Sequence, residues 1–365
     1  MLALVLGPLA VQAQDWTGFP EKSRAERVVF YNVENLFDTL DDPNTTDEDF
    51  TPGSELQWTH ARYQAKLDAL AKVLLAAGEG QPPLIIGLVE VENAAVVEAL
   101  GQRISAMAAN NPDKRPVGKK SPTPVRYQVA HLESPDTRGI DCALLVRNDK
   151  TGAAVEQLRG IRLHFDQDTS YKSRDILYAA VTLRGLRQPL HLFINHWPSR
   201  RGGEAESNPK RLVAAKALRL AVDSLRNAEA SPWILIMGDF NDEPANESLT
   251  EYLGARQAFP ATDGSLPPGE LYNLMGPADA QGEGSYNYQG NWNMLDQFIA
   301  SWALMPQVPC KRCLAVSDAA TFRQDWMMFV SDRYGPTPSR TYGGPNYYGG
   351  VSDHLPIRLT LHRPR

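Results

Sequence analysis

Nine polar residues of this 365-residue chain stand where apolar runs end or begin: Asn32, Glu34, Glu90, His196, Asp239, Asn241, Asp296, Asp353 and His354. The set holds five carboxylates, two amides and two imidazoles. So many acids gathered unpaired in one place would repel and be costly to ionise together. A divalent cation removes the conflict. Carboxylate and amide oxygens are hard ligands suited to magnesium, manganese or calcium, and the chain lacks the second cysteine pair that a zinc site wants. A hard cation, two imidazoles and a carboxylate able to activate water describe metal-assisted hydrolysis of a phosphate ester.

For these residues to act together, the elements that carry them must share one edge. The clearest is 233–242, where Trp-Ile-Leu-Ile-Met runs into Gly-Asp-Phe-Asn-Asp. A continuous apolar run without alternation suits a strand buried on both faces. Past Gly238 the period of two would project Asp239 and Asn241 to the same side. On its own this is an Asx-rich turn closing a strand. Glu90 and His196 end apolar strands in the same way, and Asn32 and Glu34 lie near the end of the first strand. Asp296 and Asp353-His354 begin strands instead. One shared edge therefore requires the later strands to run antiparallel to the earlier ones. That excludes an all-parallel doubly wound sheet, where sites gather at carboxyl ends.

The rest of the chain supplies the layers. Strands are predicted at 27–37, 84–90, 127–132, 141–146, 177–184, 190–195 and 352–361. Residues 286–300 read as one hairpin, with Gly290 in its turn and Asp296 opening its second arm. Helical periodicity marks 58–77, 93–100 and 209–227. Segments 38–55, 109–124, 199–208 and 333–350 read as loops, and specificity in such an architecture resides in its rim loops. No linker divides the chain, so 26–365 is expected to form one domain.

A formal net charge of −6 argues against a protein that holds nucleic acid by bulk electrostatics, but not against a nuclease with local cations. Residues 1–13 read as the apolar core and small-x-small end of a secretory signal lacking its basic start. No other stretch reaches the roughly 18 apolar residues of a membrane span. Of three cysteines, Cys310 and Cys313 suit a small-loop disulfide in an oxidising compartment, and Cys142 a buried small side chain. His60, His131, His164, His191 and His362 are read as structural or solvated. Tyr286, Tyr288 and Trp292 are assigned to hairpin packing; Arg200 and Arg201 suit either a phosphate contact or a solvated loop.

Asn32-Val-Glu-Asn, Gly87-Leu-Val-Glu90, Asn195-His196, Gly238-Asp-Phe-Asn241, Leu295-Asp296 and Ser352-Asp-His354 also carry a resemblance. In order and spacing they resemble the endonuclease/exonuclease/phosphatase superfamily, from about residue 26 onward. The resemblance implies the deoxyribonuclease I-like fold of a secreted bacterial-type member: a four-layer α/β sandwich of two mixed, mostly antiparallel sheets packed face to face with helices outside. It implies that Glu90, with Asn32, Glu34 and Asp353, holds magnesium, with manganese or calcium as alternatives. Many relatives have Asp where Glu34 stands. It makes Asp239 the residue that orients or deprotonates water and Asn241 its partner on a phosphate oxygen. His354 would stabilise the transition state with Asp296 fixing its imidazole; His196 is a further catalytic histidine, and Arg174 contacts substrate phosphate. The expected activity is phosphodiester hydrolysis by an extracellular or periplasmic, monomeric nuclease acting on DNA or RNA. A phosphatase, a lipid phosphodiesterase and a non-catalytic binding protein are the rivals.

Overall fold

The computed structural model describes residues 23–110, 125–149, 152–257, 269–306 and 313–364. The signal-like segment 1–13, most of the basic loop 109–124 and Cys310 lie outside the described residues. Cys313 is disulfide-bonded, and Cys142 is a free, buried thiol.

Two large sheets form the centre. The six-stranded sheet has the order β14-β19-β1-β2-β4-β3, from β1 (Ser23–Leu36), β2 (Ile85–Val91), β3 (Tyr127–His131), β4 (Asp141–Arg147), β14 (Ala315–Thr321) and β19 (Ile357–Pro364). The seven-stranded sheet has the order β5-β6-β7-β8-β13-β10-β9. Its strands are β5 (Ala154–Ile161), β6 (Ile176–Thr182), β7 (Leu190–His196), β8 (Trp233–Asp239), β9 (Ala255–Arg256), β10 (Leu271–Asn273) and β13 (Asp296–Ser301). Only β1/β2, β7/β8 and β9/β10 pair parallel; the other neighbours are antiparallel. Three two-stranded hairpins complete the set: β11 (Tyr286–Tyr288) with β12 (Asn291–Asn293), β15 (Met328–Ser331) with β16 (Gly335–Pro338), and β17 (Tyr342–Gly343) with β18 (Asn346–Tyr347).

Side-chain alternation along these strands builds the layers. Val28, Phe30 and Val89 on one sheet meet Leu192, Leu235 and Phe298 on the other, forming the inter-sheet core. Val29 and Tyr31 point the other way, onto Leu67, Leu70 and Leu74 of α1 (His60–Ala77) and Val97 of α2 (Ala94–Asn110). Ile234 and Ile236 likewise turn outward, onto Ala215, Leu218 and Val222 of α3 (Glu204–Ala228). The result is the expected helix–sheet–sheet–helix sandwich. A short helix, α4 (Gly276–Asp279), precedes β11.

Several boundaries differ from the sequence reading. Strand β5 lacks an apolar run because it is an edge strand with exposed Glu156, Gln157 and Arg159. Helix α2 continues ten residues beyond 100, through Gly101, which packs close to Leu145. Helix α3 starts at Glu204 and carries Pro209 inside it. The expected 286–300 hairpin divides: Tyr286 pairs with Asn293, whereas Asp296 opens β13, which pairs with β8. The loop 333–350 contains β16, β17 and β18, and Asp353-His354 lie in the connection before β19.

Candidate active site

The seven-stranded sheet places three residues in one row. Register pairs His196 of β7 with Asp239 of β8, and Asp239 with Asp296 of β13. Neighbouring residues at one register level project to the same face. All three are buried. Gly238 sits just before them because a Cβ there would lie 2.5 Å from the Asn195 carbonyl oxygen, so only glycine lets β7 and β8 end together.

The six-stranded sheet reaches across to this row. Asn32, at the irregular end of β1, donates from Nδ2 to Asp239 Oδ2 at 3.0 Å and to Glu90 Oε1 at 3.3 Å. Glu90 Oε2 also accepts from the Asn35 amide. His354 approaches from the connection into β19; its Nδ1 is 2.7 Å from Asp296 Oδ2 and its Nε2 is 3.8 Å from Asp239 Oδ2. Ser352 Oγ donates to the Asn32 carbonyl and accepts from the His354 amide, tying that connection to β1. His196 Nε2 is 3.7 Å from both Glu90 Oε1 and Asp239 Oδ2. Glu34, Asn35, Glu90 and Asn241 all have positive φ, a conformation uncommon outside glycine and concentrated at functional sites.

Electrostatics divides the two imidazoles. Burial alone would lower the His354 pKa, but the Asp296 and Asp239 carboxylates hold it well above its ordinary value. Burial pushes His196 well below its ordinary value, and the charges of Arg174, Arg138 and His354 add to the effect. Burial also raises Asp239 to about 7, against the pull of His354. The site thus holds a cationic imidazole, a neutral imidazole and a carboxyl near the pKa of a general base at neutral pH.

His196 and Asp239 of this row floor a cleft of about 630 Å³, whose walls include Glu90, Arg138, Arg200, Arg201, Asn241, Tyr286, Tyr288, Asp353 and His354. A second recess of about 300 Å³ adjoins it and shares Glu90, Arg138 and Asp353. Tyr286 and Tyr288 therefore face the cleft, in contrast to the hairpin packing expected of them; Trp292 packs against the sheet–helix core. The Asn241 amide donates to Asp239 Oδ1, its Nδ2 to the Trp197 carbonyl, and its carbonyl accepts from Arg200 Nε.

Arg174 is the exception among the sequence-derived residues. It is 3% exposed, paired with Asp136 at 3.0 Å and donating to the Trp197 carbonyl, and it lines neither recess. The cation beside it that does reach the cleft is Arg138, on the other side of Asp136. Two more cations escaped the sequence reading. Lys66 of α1 is 2% exposed and donates to the Glu34 carbonyl, Thr341 Oγ1 and the Val351 carbonyl. Arg340 lies between Asp353, at 2.5 Å, and Glu34, at 3.6 Å. Lys66 carried a signal, since it falls three residues after Tyr63 and four before Leu70 on the apolar stripe. Arg340 carried none.

The donor set suits a divalent cation. The Asp239 and Asp296 carboxylates lie within 4.8 Å of each other beside the His354 cation, and Asn32 links Asp239 to Glu90. Asp296 Oδ1 and His196 Nδ1 are buried with no hydrogen-bond partner among the described residues, capacity that a bound group or water would use. Glu34 and Asp353, the other expected ligands, line the adjoining recess and are already paired with Arg340. The remaining convergent group among the described residues, His131, Glu133 and Asp141, lines neither recess.

A family model described as "Endonuclease/Exonuclease/phosphatase family" matches residues 27–363. Against curated proteins the sequence has no significant match. Among solved structures, a humanized D. rerio TDP2 is 17% identical, with 92% of this chain and 98% of that one covered at a TM-score of 0.50. The Bacteroides thetaiotaomicron mannosyl-6-phosphatase Bt3783 is 13% identical, covering 92% and 99% at 0.52. The human Nocturnin catalytic domain with bound sulfate is 16% identical, covering 92% and 94% at 0.51. At these identities the likeness is one of fold.

Proposed function

This chain belongs to the endonuclease/exonuclease/phosphatase family, and from that premise we propose that it is a magnesium-dependent phosphodiesterase acting on nucleic acid. The observation that carries the proposal is the opposed pair of imidazoles around Asp239. Asp239, poised at about 7, accepts the proton of an attacking water. Its orientation is fixed by Asn32 and by the Asn241 amide. The His354 cation, maintained by Asp296, stabilises charge developing on the non-bridging oxygens or gives its proton to the leaving oxygen. His196, kept neutral, adds a hydrogen-bonding group without a second positive charge to be desolvated. Glu90 and Asn32 would hold the magnesium ion, which supplies charge compensation to the phosphate when bound. Nucleic acid as substrate rests on the cleft rim, where Arg138, Arg200 and Arg201 stand with Tyr286 and the 57% exposed Tyr288, cations beside planar rings.

The test is a substrate panel of supercoiled plasmid, single-stranded DNA, RNA, inositol phosphates, mannose 6-phosphate and sphingomyelin, each with magnesium or with EDTA. Cleavage of a nucleic acid, abolished by EDTA, is the expected result. Turnover of a sugar, inositol or lipid phosphoester alone would redirect the assignment within the family, and no hydrolysis of anything would favour a binding module. Export to an oxidising compartment is part of the proposal, supported by the apolar segment 1–13 and the disulfide-bonded Cys313. N-terminal sequencing of the secreted or periplasmic protein checks it, cleavage after Ala13 being expected.

A further inference from the structure

The recess of about 300 Å³ beside the cleft carries more than charged groups: Phe50, Leu56, Trp58 and Tyr342 also line it. The rings form one continuous apolar face. Phe50 lies flat on the buried Phe37, with centroids 4.1 Å apart and planes 5° from parallel. It stands edge to face with Trp58 at 6.2 Å, and Trp58 lies 6.1 Å from Tyr342. The polar atoms of this face are spent on the protein itself. Trp58 Nε1 donates to the Phe37 carbonyl at 3.1 Å, and the Tyr342 hydroxyl donates to the Leu56 carbonyl at 3.0 Å. Arg62 braces the same turn by donating to the Leu56 and Gln57 carbonyls. A wall so fixed is preorganised, and it offers a ligand ring surface in place of hydrogen-bonding groups.

The position of this face decides what it can meet. Glu90, Arg138 and Asp353 line both the recess and the larger cleft, so they form the boundary between the two spaces. Asp239 and His354 stand on the cleft side of that boundary. Arg138 adds a guanidinium to it, held by Asp136 through Nε at 3.2 Å and Nη2 at 3.3 Å. A phosphate diester held at the boundary has two ester arms. One extends into the cleft toward Tyr286 and Tyr288, and the other into the recess toward Phe50 and Tyr342. Phe50 and Tyr342 also belong to the segments 38–55 and 333–350, which the sequence marks as rim loops, where such an architecture places its substrate selection.

We propose that the apolar face of the recess is a base pocket, which receives the planar nucleobase on one side of the scissile phosphate against Phe50 and Tyr342. The inference rests on the nucleic-acid reading for the chemical identity of the ring. Stacking on aromatic side chains tolerates every base, because every base has a π-face, so the pocket selects a nucleotide unit without selecting among bases. It makes no use of the Glu34, Glu90 and Asp353 carboxylates of the same recess, which remain for the metal ion.

The experiment measures binding to the full chain by calorimetry, with magnesium present, for 5′-AMP, 3′-AMP and ribose 5-phosphate, the last having phosphate and sugar without the base. The tighter AMP isomer is expected to bind roughly 10–100-fold more strongly than ribose 5-phosphate. In Phe50→Ala that ratio is expected to fall close to one, through weaker AMP binding with ribose 5-phosphate unchanged. Phe50→Leu, which keeps apolar bulk but no ring, is expected to lower the ratio in the same way and decides the matter if the alanine variant does not fold. Equal binding of AMP and ribose 5-phosphate to the unaltered protein would overturn the proposal. So would a ratio that survives in the folded Phe50 variant, or one that is lost in Tyr288→Ala instead, which would place the base in the cleft. Base-dependent binding without hydrolysis of any nucleic acid would keep the pocket and defeat the phosphodiesterase reading. Binding of none of the three compounds would overturn both.

Discussion

Asp296 and His354 meet at 2.7 Å although they come from different sheets, Asp296 from β13 of the seven-stranded sheet and His354 from the connection into β19 of the six-stranded one. The Asn32–Asp239 bond crosses the same seam, again with its donor on the six-stranded side and its acceptor carboxylate on the seven-stranded sheet. The site is therefore assembled by packing the two sheets, and its protonation pattern exists only in the folded protein.

Asp296→Asn tests that coupling. His354 binds its proton more tightly in the fold than in the unfolded chain, where the ordinary value is 6.5. The pair thus stabilises fully below pH 6.5 and loses its contribution as pH rises through the elevated folded value. In the variant, the alkaline limb of the pH–rate profile is expected to move toward acid and kcat to fall by roughly 10²–10⁴-fold. An unmoved alkaline limb would remove His354 as the protonated group.

Asp239→Asn separates activity from stability. Asp239 shifts from 3.8 to about 7 on folding, so its ionisation costs stability progressively as pH rises between those values. Removing the charge is expected to abolish turnover while raising Tm above pH 7, by roughly 0.5–2 kcal/mol of stability. Well below pH 3.8 the gain should vanish, because the carboxyl is then largely neutral in both states. Thermal denaturation across pH, with a lower Tm for the variant at pH 8, would show that the carboxylate stabilises the fold instead.

Arg174→Met distinguishes a supporting cation from one that touches substrate. The side chain is buried, and its removal leaves Asp136, itself buried, with Arg138 as its remaining charge partner. A loss of about 3 kcal/mol in denaturant unfolding is expected, with KM changed less than kcat. A large rise in KM in a protein of unchanged stability would restore the phosphate contact expected from sequence.

How much of this was legible follows from what burial does to composition. Strands β2, β7 and β8 are buried on both faces; β2 and β8 appear as apolar runs and β7 as one interrupted only by His191 before Asn195-His196, so the polar residue near the end of each is conspicuous. Asp296 and Asp353-His354 at strand beginnings forced antiparallel neighbours, and β13 does run antiparallel to β8. Its partner was not legible: 286–300 contains a good turn at Gly290, and local turn chemistry says nothing about a register set by a strand as far back as β8. Arg174 was misplaced because a motif position gives a residue's place in the chain but not whether its head group faces inward. Arg340 stands in a Tyr-, Gly- and Pro-rich segment without periodicity, and its meaning arises only when that segment folds back onto β1.

Lys66 was legible and passed over, and it supports the strongest stability prediction. Its ammonium sits at the junction of α1, β1 and the 341–351 segment, with three oxygen acceptors within 3.0 Å and the Glu34 carboxylate at 4.0 Å. Lys66→Met preserves most of the aliphatic stem but strands two buried carbonyls and takes one cation from Glu34. Breaking a buried pair in this way costs about 3–5 kcal/mol, and the unmade hydrogen bonds act in the same direction. The loss should be local before it is global, since Thr341 is tied to the fold through Lys66 and Glu34. Hydrogen exchange is expected to show the amides of Thr341 and Val351 losing protection while those of β7 and β8 keep theirs. Equal loss in all four places would mean that Lys66 holds up the whole sandwich and not the one segment that delivers Arg340.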